Sequence, residues 1–158
     1  MNTISIYDGL TVDYPDGFEV MTPEELKQFY LDDNPNRFGL WDKERHTVFV
    51  VYYHSYKGVL FFVPLPSNKA LLERVEKEAA KAYRPYDYRL YGFYEKDVAG
   101  EKAYGYSYEY TLKGVNQIGD TVLFKKNEVT YTVYCYVRKE NAEEMRPVYE
   151  EMVSSLRF

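Results

Sequence analysis

Apolar and polar residues alternate along much of this chain, with the period of two that is typical of half-buried β-strands. The first half contains short alternating segments at residues 4–7, 10–14, 38–41 and 46–55. The second half contains longer segments at residues 86–98, 103–112, 120–126 and 129–139. Turn-forming pairs such as Asp8 and Gly9 separate neighbouring segments and favour hairpins. The pattern predicts an antiparallel sheet built largely from the second half of the chain.

Three other segments carry apolar residues at helical spacing. The first begins at Thr22 and Pro23, which suit the N-cap and first helical positions, and is expected to end before residue 33. The second is capped by Ser67 and extends to about residue 82. The third begins near Asn141 and contains Pro147 in its first turns. Strands and helices together predict one α+β domain over residues 1–158.

The most regular pattern is a row of tyrosines in the segment 103–112. The row consists of Tyr104, Tyr106, Tyr108 and Tyr110. Side chains alternate across a strand, so these four rings share one face, and the small residues opposite leave room for a helix. Tyr134 and Tyr136 share a face of the last strand and could extend the aromatic surface. Two interpretations stay open, namely a wall of the core or a surface that binds a partner or ligand.

Composition and charge exclude several classes of partner. The 158 residues include 19 tyrosines and carry a formal net charge of −5 at pH 7. Nucleic acids and anionic membranes both favour an excess of Lys and Arg, so neither is expected as a partner. The longest apolar run, residues 59–66, is too short to span a bilayer, so membrane insertion is not expected.

Residues that carry common enzyme chemistry are scarce. Cys135 is the single cysteine, and it alternates with valines in a strand, as a core residue does. His46 and His54 are too far apart along one predicted strand to share a metal. The sequence contains no nucleophile elbow, no zinc-protease helix and no phosphate-binding glycine loop. We therefore expect no catalysis, no metal and no cofactor. The absence of a signal peptide from the first residues and the lone cysteine favour the cytoplasm.

The segment "GVLFFVPLP" is the least ordinary part of the chain. Large apolar residues follow one another through Leu60, Phe61 and Phe62, and Pro64 prevents the run from continuing as a central strand. The segment is either a strap over the sheet or an apolar loop that docks a partner or a second copy of the chain. Trp41, the single tryptophan, is predicted to lie near the same edge.

The order of the elements resembles that of the PsbP-like superfamily. The residues that carry the resemblance are "DGLTVDYPDGFEV" near the start, "DVAGEKAYGYSYEY" in the second half and "MVSSLRF" at the end. The resemblance implies a curved antiparallel sheet flanked by helices, an α/β/α sandwich, in which a second helical layer covers the tyrosine row. It also implies binding rather than catalysis, because binding is what the bacterial and other branches of this superfamily share.

These observations lead to a first hypothesis about function. The chain is interpreted as a cytoplasmic binding or adaptor protein of bacterial type, without catalysis, whose partner is a protein or a second copy of itself. The candidate contact residues are Trp41, Leu60, Phe61, Phe62, Tyr104, Tyr106, Tyr108, Tyr110, Tyr134 and Tyr136. Two alternatives remain: a small-molecule-binding protein or enzyme with a tyrosine-lined cavity between sheet and helix, and the ligand-binding domain of a surface lipoprotein.

Overall fold

The computed structural model describes residues 1–58 and 65–158. The strands in these ranges are β1 (Asn2–Tyr7), β2 (Leu10–Tyr14), β3 (Glu19–Val20), β4 (Arg37–Asp42), β5 (Thr47–Ser55), β6 (Arg89–Val98), β7 (Glu101–Leu112), β8 (Val115–Lys126) and β9 (Val129–Arg138). The α-helices are α1 (Pro23–Tyr30), α2 (Asn68–Tyr83) and α3 (Ala142–Ser155). The predicted caps are present at α1, where Thr22 and Glu25 form a capping box, and at α2, where the Ser67 side chain accepts from the backbone of Ala70.

Seven strands form one antiparallel sheet in the order β3-β4-β5-β9-β8-β7-β6, while β1 and β2 form a separate hairpin. Two-residue turns join β6, β7, β8 and β9 in succession. Both residues of each turn have positive φ, in the pairs Ala99–Gly100, Lys113–Gly114 and Asn127–Glu128. Such turns match the right-handed twist of the strands that they join, so this half of the sheet is a meander of adjacent hairpins.

Helices cover both faces of the large sheet. One face packs against α3 and the β1–β2 hairpin, with Val133, Met145 and Tyr149 in its core. The other face packs against α1 and α2, and Leu72 of α2 contacts the tyrosine row. The predicted α/β/α arrangement is therefore confirmed. The small residues of β7 face α3, and the second helical layer over the tyrosines is α2.

Two glycines of the sheet allow tyrosine rings to lie directly on the backbone. A Cβ atom added to Gly119 of β8 would lie 2.3 Å from the Cζ atom of Tyr108. On the opposite face, a Cβ atom added to Gly105 of β7 would lie 2.5 Å from the Cζ atom of Tyr94. A neighbouring ring thus covers each glycine, which alone would leave a gap in the surface of the sheet. Such packing of a ring on a glycine helps to fix the register between the two strands.

Several strand boundaries predicted from the sequence were wrong. The strand predicted from residue 86 begins at Arg89, because Arg84–Tyr86 form a 3₁₀ turn around Pro85. The strand predicted from residue 120 begins at Val115, directly after the Lys113–Gly114 turn. His46 was placed in a strand but lies in the preceding turn with φ of 50°. The Asn141 side chain, expected to cap α3, makes no capping hydrogen bond.

Candidate functional site

The floor of the candidate site is a block of tyrosines on the face that α1 and α2 cover. Each of two tyrosines from β7 faces one from β9 across a small residue of β8. The two rows are Tyr106–Thr121–Tyr134 and Tyr108–Gly119–Tyr136. Because the central strand contributes no large side chain, the Tyr108 ring lies directly over Gly119. The sequence predicted this continuous aromatic surface, although not the role of β8 in it.

The walls come from both sides of a gap between the helices. Tyr30 of α1, Arg37 of β4 and Tyr52 of β5 form one wall, and α2 forms the other. The residues that α2 contributes are Arg74, Val75, Glu78, Ala79, Ala82 and Tyr83. The small side chains of Ala79 and Ala82 keep α2 from filling the gap. The result is a half-open groove of about 730 Å³ lined by seven tyrosines, which we call the tyrosine groove.

Tyrosines differ in how far they are accessible from the groove. Tyr106 and Tyr108 are each only 1% exposed, so they form the part of the groove floor from which water is excluded. Tyr30, Tyr52, Tyr83 and Tyr134 are half-buried and form the accessible part. A ligand in the groove would therefore contact aromatic rings and hydroxyl tips at the same time, a combination that suits molecular recognition.

One guanidinium is fixed in the wall of the groove. The Cζ atom of Arg37 lies 3.9 Å from the ring centroid of Tyr30, in cation–π geometry. The same guanidinium forms an ion pair with Asp32, and this hydrogen bond lowers the pKa of the Asp32 carboxyl below its usual value. Arg37 is thus held in place by a ring on one side and a carboxylate on another.

The phenols of the groove are hydrogen-bonding groups rather than acids or bases at neutral pH. Burial raises the pKa of Tyr134 to about 12 and raises the pKa of Tyr108 and Tyr136 well above their usual value. All three therefore remain protonated near pH 7. The Tyr30 hydroxyl is buried and interacts with the Tyr136 side chain, without a well-aligned hydrogen bond to any residue that the structure describes. The groove thus offers O–H groups, one of which is poorly satisfied.

The other predicted site residues lie outside this groove. Tyr110 stacks on Tyr83 with ring centroids 4.2 Å apart, and Tyr104 packs beside Leu72. Trp41 packs against the cluster of Met21, Leu26 and Val50, and the Lys43 ammonium is 4.7 Å from its ring centroid. Leu60, Phe61 and Phe62 fall outside the described residues.

Sequence reasoning did not find the walls of the groove. Tyr30 and Ala79 lie on the apolar faces of helices that the sequence predicts, and a groove residue on such a face recurs with the same helical period as a core residue. Tyr52 shares a face of β5 with Val48 and Val50 and gives no separate signal. The short side chains of Ala79 and Ala82, on the α2 face that turns toward the sheet, are the one local sign that this helix leaves a gap.

A second polar cluster lies on the opposite face, beneath α3. The buried carboxylate of Asp120 accepts hydrogen bonds from the hydroxyls of Ser107 and Tyr149, and a guanidinium nitrogen of Arg146 lies 3.4 Å away. Burial, together with the carboxylate, raises the pKa of Tyr149. Because two of its members belong to α3 and two to the sheet, the cluster fastens this helix to the sheet.

Other candidate chemistry is sparse in residues 1–58 and 65–158. No group of three or more His, Cys, Asp or Glu residues in these ranges is placed to hold a metal ion. Cys135 is buried, and burial raises the pKa of its thiol well above the usual value. None of the helices in these ranges combines the length and apolar character needed to cross a membrane.

Solved structures connect this architecture to known proteins. Cyanobacterial PsbP from Synechocystis sp. PCC 6803 superposes with a TM-score of 0.71 at 14% identity, over 99% of this chain and 91% of that one. The chain has the PsbP fold. The Ran-binding protein Mog1p of Saccharomyces cerevisiae superposes with a TM-score of 0.61 at 9% identity, over 99% and 94% of the two chains. LpqN of Mycobacterium tuberculosis, involved in cell envelope biogenesis, superposes at 0.56 and 8% identity, over 94% and 82%.

No family model and no curated protein sequence matches the chain. The resemblance to the PsbP-like superfamily that the sequence motifs indicated is confirmed at the level of the fold. At identities of 8–14% the PsbP fold is what is shared, and a function does not follow from it. The function has to be argued from the tyrosine groove itself.

Proposed function

We propose that this protein is a non-catalytic binding protein that holds a small ligand in the tyrosine groove. The observation that carries the proposal is the groove of about 730 Å³ lined by seven tyrosines. Ligand sites are typically clefts of about 300–1,000 Å³ with mostly apolar and aromatic linings and a few polar groups. This corresponds to the sequence-based alternative of a tyrosine-lined cavity between sheet and helix.

The chemistry of the lining supports binding over catalysis. Phenols whose pKa is raised by burial are poor nucleophiles and poor general bases at neutral pH. Asp32, a carboxylate in the lining, is paired with Arg37. We also infer a cytoplasmic location, which is supported by the free, buried thiol of Cys135.

Filling the groove is expected to abolish binding without unfolding the protein. Ala82 is exposed on α2 and lines the groove, so Ala82→Trp introduces a large ring into the open space at little cost to the core. We expect a loss of at least about tenfold in the affinity for a neutral aromatic probe, 2-naphthylmethanol, measured by calorimetry. Ala70→Trp, at an exposed position of the same helix outside the groove, is the matched control. Equal affinity in the two variants would contradict the proposal.

A second candidate function is a protein contact through the edge strand β6. This strand ends the sheet, and its exposed apolar side chains include Tyr91 and Phe93, each 51% exposed. Unpaired backbone groups beside exposed aromatic rings suit the addition of a partner strand. In this second candidate function, the protein partner or second copy of the chain expected from the sequence binds along β6.

For this second candidate we expect Phe93→Lys to remove a stoichiometric partner or a self-associated species. Affinity capture from lysate of the source cell and sedimentation velocity would measure the two forms. Leu31→Lys, at a site 89% exposed and distant from β6 in the chain, is the control. A partner retained by both variants, or a monomer with no partner in the wild type, would count against the contact.

A further inference from the structure

The lining of the tyrosine groove contains many hydrogen-bond donors. Its seven phenols carry O–H groups, and two guanidinium groups stand in its walls, Arg37 on the β4 side and Arg74 on α2. A guanidinium donates hydrogen bonds and accepts none. A ligand with acceptor oxygens and a flat apolar body would use these donors and the aromatic rings together.

One donor is poorly satisfied in the protein. The buried Tyr30 hydroxyl interacts with the Tyr136 side chain but makes no well-aligned hydrogen bond in the described chain, and a buried polar group without a good partner is unfavourable. Its ring is already in contact with the Arg37 guanidinium. An anionic oxygen beside this pair would accept from the hydroxyl and lie next to a positive charge at once.

The lining contains two acids and two guanidinium groups, and one acid is paired with one guanidinium. Asp32 is paired with Arg37 and also accepts from the backbone N–H of Asn34. Glu78 stands one turn beyond Arg74 on the same helix and is exposed. In the described part of the chain, no carboxylate lies within ion-pair distance of Arg74, whereas thirteen ion pairs form elsewhere. Arg74 is therefore available to a ligand.

We propose that the ligand of the tyrosine groove is a planar aromatic anion, with an aromatic carboxylate as the simplest example. The inference rests on the function proposed above and specifies its ligand class. The flat ring system stacks on the tyrosines, Arg74 binds the carboxylate from the α2 side, and the Tyr30 hydroxyl and Arg37 bind it from the other side. Guanidinium and carboxylate groups match in shape and can form two parallel hydrogen bonds.

Three naphthalene probes of nearly equal size test the ligand class. These are 2-naphthoate, 2-naphthylmethanol and 2-naphthylmethylammonium, each titrated by calorimetry into the full chain. We expect the carboxylate to bind about tenfold more tightly than the alcohol, and the ammonium to bind most weakly. Arg74→Gln is expected to remove this preference. Glu78→Gln is expected to strengthen binding of the carboxylate.

A further variant tests the role of the Tyr30 hydroxyl. Tyr30→Phe keeps the ring beneath Arg37 and removes only the O–H group. We expect its melting temperature to be close to that of the wild type, because no well-aligned protein hydrogen bond is lost, and its affinity for 2-naphthoate to fall about tenfold. A lowered melting temperature with unchanged affinity would assign the hydroxyl to the core and contradict its place in the site.

The outcomes separate the two levels of the argument. If none of the three probes binds, the function proposed for the groove fails, and the ligand class fails with it. If the alcohol or the ammonium binds as tightly as the carboxylate, and Ala82→Trp blocks that binding, the groove remains a binding site and only the anionic ligand class is overturned. A preference for the carboxylate that survives Arg74→Gln also overturns it.

Discussion

Asp120→Ala is expected to lower the free energy of unfolding by about 3 kcal/mol. The carboxylate is 8% exposed and is the shared acceptor for the Ser107 and Tyr149 hydroxyls. Alanine would leave the buried Tyr149 hydroxyl without an acceptor and would leave Arg146 without the carboxylate that lies 3.4 Å from it. Leaving such groups unpaired is more costly than the net contribution of the hydrogen bonds themselves. Urea denaturation monitored by circular dichroism measures the change.

A double-mutant cycle with Tyr149→Phe provides the control. In a background without the Tyr149 hydroxyl, Asp120→Ala no longer leaves that group without an acceptor. We therefore expect the double variant to lose at least about 1 kcal/mol less free energy of unfolding than the sum of the two single losses. Strict additivity would show that the carboxylate and the phenol do not depend on one another. It would then be wrong to regard the cluster as the fastening between α3 and the sheet.

Gly119→Ala is the second change for which we expect a large effect, a loss of about 2 kcal/mol in the free energy of unfolding. In an ordinary strand the reverse is expected, because glycine is less favourable than alanine by about 0.5–1 kcal/mol. Here the new methyl group would lie 2.3 Å from a ring atom of Tyr108, which is 1% exposed and has little room to move. Either the ring or the β8 backbone would have to shift. Equilibrium denaturation again measures the loss.

Making room for the methyl group tests this explanation. Tyr108→Leu removes the ring that overlies Gly119, so Gly119→Ala should destabilise that background by less than about 0.5 kcal/mol. Gln117→Ala, on the same face of β8 and half-buried, is the control for a change of side chain in this strand. If Gly119→Ala were neutral in the wild type, the close packing of the ring on the backbone would be disproved, and with it the geometry of the groove floor.

Much of the fold could be predicted from the sequence because it is set locally. The alternation in residues 103–112 fixes a strand with its tyrosines on one face, and the caps at Thr22 and Ser67 fix the starts of two helices. The start of β8 was missed because a turn of Lys113 and Gly114 carries a weaker signal than one of Asn and Gly. The prediction that helices cover both faces of the sheet came from the resemblance of the sequence motifs to the PsbP-like superfamily. The alternation of apolar and polar residues did not predict it.

The tyrosine groove could not be predicted because it depends on distances between elements. Tyr30, Tyr52 and Tyr83 belong to three elements that approach one another only in the folded sheet. Alternation placed Tyr106 and Tyr134 on a common face, yet it does not distinguish a tightly covered face from one with a gap. The gap between the two helices arises because α1 ends at Tyr30 and because Ala79 and Ala82 of α2 have short side chains. The contact hypothesis for Leu60, Phe61 and Phe62 stays a prediction.

The most direct test of the tyrosine groove as the binding site is a titration of 2-naphthoate into protein with ¹³C-labelled tyrosine rings, followed by NMR. Saturable shifts at Tyr52, Tyr83 and Tyr134 are predicted. Tyr7, Tyr53 and Tyr131, which pack together on the opposite face of the sheet, serve as internal controls and should not shift. Shifts confined to the control rings, or no saturable shift at any ring, would contradict the account.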